Sequence, residues 1–203
     1  RKLVDICREI PDKADIEFTL ADGRVEIRSG RFRSTLSTLP ANDFPSVDHA
    51  DPELSAVIDS KAMKKLLDKT AFAMAQQDVR YFLNGMLIEI SDGHVRSVAT
   101  DGHRLALGDL RIESIEGASK QVILPRKGVI EIQRLLQELE DQVSLSIGSS
   151  HLCASSDMFT LTTKLVDGKF PDYERVIPRD GTKIVLADKQ ELRQALSRTA
   201  ILS

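Results

Sequence analysis

Two Asp-Gly-His segments contain the residues of this chain whose types and spacing could do chemistry. They are Asp92-Gly93-His94 and Asp101-Gly102-His103. Their carboxylates and imidazoles could bind a metal ion, or His103 could act as a general base. Asp-Gly-His is also an ordinary turn sequence between strands, and the sequence lacks a third ligand cluster, a nucleophile partner and a phosphate-binding glycine loop. A metal-dependent hydrolase that uses Asp101 and His103 is therefore the weaker interpretation, and stoichiometric metal in the purified protein would favour it.

The elements that must position these residues follow from the spacing of apolar residues. Alternation predicts hairpins over 15–27 and 86–100, each turning at an Asp-Gly pair. Apolar residues three and four positions apart predict helices. We expect an α+β fold in which two helices per module lie on one face of antiparallel sheet. Further strands are predicted over 104–112, 121–124, 143–147 and 158–165, and helices over 63–74, 129–139 and 192–199.

The chain also repeats itself. Residues 185–200 follow the pattern of 56–71, and Phe170-Pro171 follows Phe44-Pro45 at a similar offset. Two concordant offsets predict tandem modules of about 127 residues, of which this chain is expected to be a fragment. The predicted division is the C-terminal part of a first domain (1–53), a complete middle domain (54–182) and the start of a truncated third domain (183–203).

Composition excludes several classes of protein. Hydrophobic residues make up 41% and charged residues 29%, with no apolar run long enough to cross a bilayer. The two cysteines, Cys7 and Cys153, lie in different modules and lack the spacing of metal ligands. Free thiols of this kind favour a cytoplasmic protein over a disulfide framework, and nothing in the sequence requires a cofactor or a metal.

Basic residues are concentrated in the predicted helices. The stretches 1–8, 60–70, 125–134 and 188–198 together carry a balance of +8 in a chain whose net charge is −3. Each helix alone could simply present a solvated charged face. Four helices of the same sign, repeated across modules on an acidic background, instead suggest a basic lining that accommodates a polyanion such as DNA without reading its sequence.

Four motifs in order resemble the bacterial β sliding clamp family, the processivity subunits of DNA polymerase III. They are Asp78 to Leu87, Thr100 to Ala106, Leu124 to Glu131 and Lys164 to Tyr173, and the resemblance extends from Arg1 to Ser203. In that family three similar domains form each chain, and two chains close head to tail into a homodimeric ring. Helices line the hole and sheets form the outer shell. The resemblance thus implies a non-catalytic DNA clamp without a cofactor.

The resemblance also assigns roles to residues. A pocket between the second and third domains of the family receives a short linear peptide from the polymerase catalytic subunit, the clamp loader delta subunit, other polymerases and mismatch-repair factors. Part of its wall is expected beyond Ser203. The matching pocket positions are Leu83, Thr100, Gly102, His103, Arg104, Leu105, Pro171, Arg175 and Val176. Positions that match DNA contacts are Arg1, Gln77, Arg80, Tyr81 and Phe82, with Arg126 and Lys127 as expected companions. A peptide-binding scaffold without DNA remains the third interpretation.

Overall fold

The computed structural model describes residues 2–44 and 52–202. Contacts within the chain divide it into two compact units, Arg1–His49 and Ala50–Ser203. Among the helices of the described residues, none is long and apolar enough to cross a membrane.

The described part of the smaller unit, residues 2–44, forms one α-helix and one three-stranded sheet. Its elements are α1 (Lys2–Glu9), β1 (Glu17–Ala21), β2 (Arg24–Ser29), β3 (Phe32–Ser37) and a 3₁₀ turn at Ala41–Asp43. The strands pair in the order β1-β2-β3, all antiparallel, so the predicted first hairpin is confirmed. Asp22 and Gly23 both have positive φ, as a tight hairpin turn requires. The sequence prediction did not include β3.

Within the described residues, the larger unit contains two antiparallel sheets and three α-helices. The elements are β4 (Leu54–Asp59), α2 (Ser60–Asp68), β5 (Gly85–Ser91), β6 (His94–Thr100), β7 (Leu105–Arg111), β8 (Ser114–Gly117), β9 (Lys120–Pro125), α3 (Arg126–Gln137), β10 (Gln142–Ile147), β11 (His151–Ser155), β12 (Thr160–Lys164) and α4 (Lys189–Thr199). One sheet has the strand order β12-β11-β10-β4-β8 and the other β7-β6-β5-β9. The predicted second hairpin, β5 and β6, is confirmed, and β4, β8 and β11 were not predicted.

The predicted helix over 63–74 was too long. Helix α2 ends at Asp68, and a separate 3₁₀ turn follows at Ala71–Ala73. Thr70 is the reason, because its buried hydroxyl hydrogen bonds to the carbonyls of Leu66 and Leu67 at 3.1 and 3.3 Å. A threonine side chain that satisfies the last carbonyls of a helix competes with the next helical turn.

The main core lies between the two sheets and helices α2 and α3. Met86, Ile88 and Ile90 of β5 alternate toward it, and all three are fully buried. The helices contribute apolar stripes at the predicted spacing, with Leu67 and Ile132 among the fully buried residues. This core fixes the inner face of the four-stranded sheet.

The outer face of the four-stranded sheet is covered by residues 166–177, which we call the strap. Leu87, Val98 and Ile123 point to this face and pack against Phe170 and Tyr173 of the strap. The backbone N–H of Val166 donates to the Ile123 carbonyl at 2.9 Å, which fixes the beginning of the strap alongside β9. Apolar residues of β5, β6 and β9 are therefore buried on both faces of the sheet, whereas Leu107 on the outer face of β7 is 40% exposed.

The sequence repeat is visible in two helix starts. Asp59 accepts a hydrogen bond from the Ala62 N–H at the start of α2, and Asp188 accepts from the Gln190 and Glu191 N–H groups at the start of α4. The helices differ in burial. Leu67 of α2 is 0% exposed, whereas its repeat partner Leu196 of α4 is 60% exposed.

This pair gives a matched stability prediction for the 203-residue chain. Leu67→Ala should lower the free energy of unfolding by about 2–5 kcal/mol, because it leaves a cavity in the main core. Leu196→Ala should change it by no more than about 0.5 kcal/mol, because the side chain is largely in solvent. Urea unfolding followed by circular dichroism measures both, and equal effects would contradict the burial difference.

Candidate functional site

The structure does not bring the two Asp-Gly-His segments together. They flank β6, with His94 at its start and Asp101 just after its end, so roughly 20 Å of extended strand separates them. The Nδ1 of His94 instead lies 2.6 Å from the carboxylate Oδ1 of Asp109. Among the described residues, no group of three or more acidic, histidine or cysteine side chains could hold a metal ion. The geometry gives no support to a metal site that combines these segments.

Asp101 holds a turn. Its Oδ1 accepts the backbone N–H groups of His103 and Arg104, both at 3.0 Å, and these bonds lower the pKa of its carboxyl group. Gly102 occupies the left-handed region with φ of +89°, and a Cβ there would come 3.1 Å from the Arg80 guanidinium. The turn therefore needs glycine, and the charge of Asp101 is used to fix the loop that follows β6.

A pocket of about 720 Å³ opens beside this turn, between the end of β6, the start of β7 and the strap. Eight of the nine residues predicted for the peptide pocket line it, and Arg175 does not. Arg175 is exposed, and its Nε lies 2.7 Å from the Asp172 carboxylate. The lining residues are Arg80, Leu83, Thr100, Gly102, His103, Arg104, Leu105, Leu107, Asp172, Pro171, Tyr173, Val176, Ile177 and Pro178.

Six lining residues were missed from the sequence, and some had a usable signal. Leu107 follows Leu105 at the period of a strand, so alternation places both side chains on the same face of β7. Tyr173 and Ile177 belong to the strap, where a 3₁₀ turn at Tyr173–Val176 gives no such period. Arg80 was instead predicted to contact DNA.

Arg80 is held at the pocket by its neighbour Asp78. The Arg80 Nε and Nη2 donate to the two oxygens of Asp78 at 3.0 and 2.8 Å, and Nη2 also lies 3.4 Å from the Asp101 carbonyl oxygen. These side-chain hydrogen bonds lower the pKa of Asp78 to about 2. The Arg80 guanidinium is thus a fixed part of the pocket wall.

Arg104 is fixed in a similar way on the rim. Its Nη2 donates to the Phe72 carbonyl at 2.8 Å, and its guanidinium carbon lies 5.4 Å from the centre of the Phe72 ring. Its Nε donates to Asp101 at 3.1 Å. The two arginines of the pocket are therefore each paired with a carboxylate of their own loop.

Five other residues predicted to contact DNA lie in the larger unit. Gln77 and Tyr81 are exposed, and the Tyr81 ring meets Phe82 edge-on at 5.8 Å. Phe82 is half-buried against the apolar cluster under the strap. Arg126 is half-buried and Lys127 is exposed in the first turn of α3. Arg1 lies outside the described residues.

Family models match most of the chain. Residues 57–172 match the model described as the DNA polymerase III beta subunit, central domain, and residues 1–48 match its N-terminal domain. A beta sliding clamp from Pseudomonas aeruginosa is 52% identical over 203 residues, which is 100% of this chain and 55% of that protein. The chain therefore spans about half the length of the curated relatives that it matches.

Solved structures agree with the sequence matches. The crystal structure of the DNA polymerase III subunit beta from P. aeruginosa has a TM-score of 0.93 and 52% identity, covering 99% of this chain and 55% of that one. A P. aeruginosa sliding clamp bound to griselimycin matches with a TM-score of 0.91, at the same identity and with the same coverage of both chains. These matches and the antiparallel sheets with their helices confirm the predicted fold class. This chain belongs to the bacterial beta sliding clamp family of DNA polymerase III beta subunits.

Proposed function

We propose that this chain is part of a sliding clamp that encircles duplex DNA and holds the replicative polymerase on it, without catalysing a reaction itself. The observation that carries the proposal is the 52% identity with the P. aeruginosa beta sliding clamp over all 203 residues. Two full-length chains would close head to tail into a homodimeric ring with the helices around the hole. Sedimentation of the full-length parent tests this, because a ring must be a stable dimer.

We propose that the domain division follows the sequence repeat. Residues 1–53 would belong to a first clamp domain, 54–182 would form the middle domain, and 183–203 would begin a third. The aspartate caps of α2 and α4 support the repeat. The exposed leucines of α4 fit a helix whose core partners belong to the rest of that third domain.

We propose that the pocket receives a short linear peptide from the polymerase catalytic subunit, the clamp loader delta subunit, other polymerases and mismatch-repair factors. Its apolar residues, such as Leu83, Leu105 and Val176, can bury an aliphatic or aromatic anchor. His103 and Arg104 supply polar groups beside them. The griselimycin-bound clamp shows that a close relative binds a ligand, and we propose that this protein binds it too.

Leu105 gives the direct test of the pocket. The probe is a fluorescein-labelled synthetic peptide that carries the clamp-binding motif of the polymerase catalytic subunit, titrated into full-length protein. Leu105→Ala should weaken its binding by roughly 1–3 kcal/mol through lost apolar contact. The control is Ile130→Ala on α3, an exposed apolar residue outside the pocket lining, which should leave affinity unchanged. Unchanged affinity in Leu105→Ala would remove Leu105 from the site.

The ion pair that fixes Arg80 gives a pH prediction. Because the pKa of Asp78 is lowered to about 2, the contribution of this pair to stability is present above the ordinary value of 3.8 and is lost as the pH falls through about 2. Asp78 should therefore add no pH dependence to peptide binding between about pH 5 and 8. Carbon-detected NMR titration should show its pKa near 2 and a return toward 3.8 in Arg80→Ala. A wild-type value near 3.8 would contradict the pairing.

We propose that DNA is contacted by basic residues at helix starts, above all Arg126 and Lys127, with Gln77, Arg80, Tyr81, Phe82 and Arg1 as further contacts. The first turn of α3 contains two cations and no acidic residue, and Pro125 at its N-cap makes no side-chain capping bond. Cations at this end oppose the helix dipole, so they reduce helix stability. A DNA phosphate would interact favourably with the cations and with the uncapped N–H groups.

Reversing these charges tests the DNA proposal. In the full-length protein, Arg126→Glu with Lys127→Glu should weaken association with all duplex sequences alike and flatten its salt dependence by about one unit of slope per lost phosphate contact. The matched control is Arg111→Glu with Lys164→Glu, the same change in charge at exposed positions of β7 and β12. Equal losses in both double variants would indicate a general charge effect and not a DNA face.

A further inference from the structure

Three charged residues lie side by side across the outer face of the four-stranded sheet. Glu89 of β5 is the register partner of Arg96 of β6, and Arg96 is the register partner of Asp109 of β7. We call this set the charged row. Residues two positions along each strand point to the same face, so the row directly adjoins the apolar residues under the strap and beside the pocket.

Tyr173 of the strap joins the charged row to the pocket. Tyr173 is 7% exposed and lines the pocket, while its hydroxyl reaches the row. The hydroxyl donates to Glu89 Oε2 at 2.9 Å and accepts from Arg96 Nη1 at 3.1 Å. One side chain therefore has an apolar part in the wall of the pocket and a polar end fixed by two strands.

Arg96 is itself fixed from the opposite side. Its Nε donates to Asp109 Oδ2 at 3.0 Å, and the other Asp109 oxygen lies 2.6 Å from His94. The Arg96 Nη1 also lies 3.8 Å from Glu174, the strap residue that follows Tyr173. The guanidinium thus bridges the sheet and the strap, with Asp109 holding it on the sheet side and Tyr173 on the strap side.

The protonation states suit these roles. Burial raises the pKa of the Tyr173 hydroxyl, which outweighs the opposing hydrogen bond from Arg96, so the group remains a donor to Glu89 at neutral pH. For Asp109, burial alone would raise the pKa, but hydrogen bonds from His94 and Arg96 outweigh it and lower the pKa overall. Asp109 is therefore a carboxylate that holds Arg96 in place.

We propose that the charged row positions the strap wall of the peptide pocket through Tyr173, so that the pocket is formed before a peptide arrives. The inference rests on the proposed peptide-binding function. Pro171, Val176 and Ile177 line the pocket from the same short segment as Tyr173, so movement of Tyr173 would displace them together. If the wall is in place in only a fraction of the molecules, the apparent affinity for the peptide is multiplied by that fraction.

The test is Tyr173→Phe in the full-length protein, because it keeps the ring and removes only the hydroxyl. Affinity for the probe peptide should fall about 3- to 10-fold, mainly through slower association, because fewer molecules have the wall in place when a peptide arrives. Ser60→Ala is the matched control, since it deletes a buried side-chain hydrogen bond, to the Leu139 carbonyl at 3.0 Å, at a residue outside the pocket lining. It should lower the melting temperature by a comparable amount and leave affinity unchanged.

A variant cycle separates positioning from a general loss of packing. If Tyr173 acts through the row, the double variant Arg96→Met with Tyr173→Phe should bind the probe peptide about as weakly as Arg96→Met alone. Arg96→Lys should bind it more tightly than Arg96→Met, because it keeps the positive charge. Additive losses, or wild-type affinity in Tyr173→Phe, would overturn the proposal.

Amide hydrogen exchange without peptide provides an independent measurement. Exchange at residues 170–177 should accelerate several-fold in Tyr173→Phe and remain unchanged in Ser60→Ala. Unchanged exchange in Tyr173→Phe would overturn the anchoring role. A different outcome would be that the wild-type protein fails to bind the probe peptide while exchange at residues 170–177 accelerates in Tyr173→Phe. The peptide-binding function would then be wrong, and the anchoring of the strap by Tyr173 would be correct.

Discussion

Burial of apolar residues on both faces of the four-stranded sheet is the constraint on which the rest of the larger unit depends. Because side chains alternate along a strand, Met86, Ile88 and Ile90 face the main core, and Leu87 faces the strap. Helices alone would cover only the first of these faces. The second requires the strap, and because the strap is a short irregular segment, it leaves one end of the sheet open. That opening is the pocket.

The pocket consequently combines rigid and less regular parts. Leu83, Thr100 and Leu105 belong to, or directly adjoin, strands that are fixed by the main core. Pro171, Tyr173 and Val176 belong to the strap, whose polar attachment runs through Arg96 and a backbone bond at Val166. In the arrangement that we propose, this attachment holds the second wall beside the rigid one before a peptide arrives.

Sequence reasoning recovered most regular elements because their apolar periods are strong. The two hairpins and helix α3 follow the predicted spacing closely, whereas α2 ended early because Thr70 satisfies the last carbonyls. Residue type alone suggested catalytic or metal chemistry for Asp101, but the structure uses this carboxylate to hold its own turn. Its Oδ1 accepts two backbone N–H groups of the turn, and its Oδ2 accepts the Arg104 Nε. Family resemblance, and not spacing, supplied the pocket residues.

The residues whose proximity the sequence did not predict are brought together by the register between strands. Glu89, Arg96 and Asp109 are far apart in the chain and carry no motif, so only the pairing of β5, β6 and β7 aligns them. Arg80 was missed at the pocket for a related reason, because a residue just before a 3₁₀ turn has no period that indicates its direction. Local sequence fixes what an element is, while pairing between elements decides which side chains meet.

The distribution of paired charges separates two kinds of surface. Around the pocket and strap, Arg96 and Arg104 each contact a carboxylate, so their positive charge is locally balanced and their main effect is geometric. The start of α3 is different, because two cations occupy a helix end that already carries partial positive charge. Such an arrangement costs helix stability, and the hydrogen bond from Arg126 Nη1 to the Met74 carbonyl is long, at 3.4 Å, so it offsets little of this cost. An external anion would offset it, which is why the helix starts, and not the arginines of the sheet, are the part of this surface suited to a phosphate backbone.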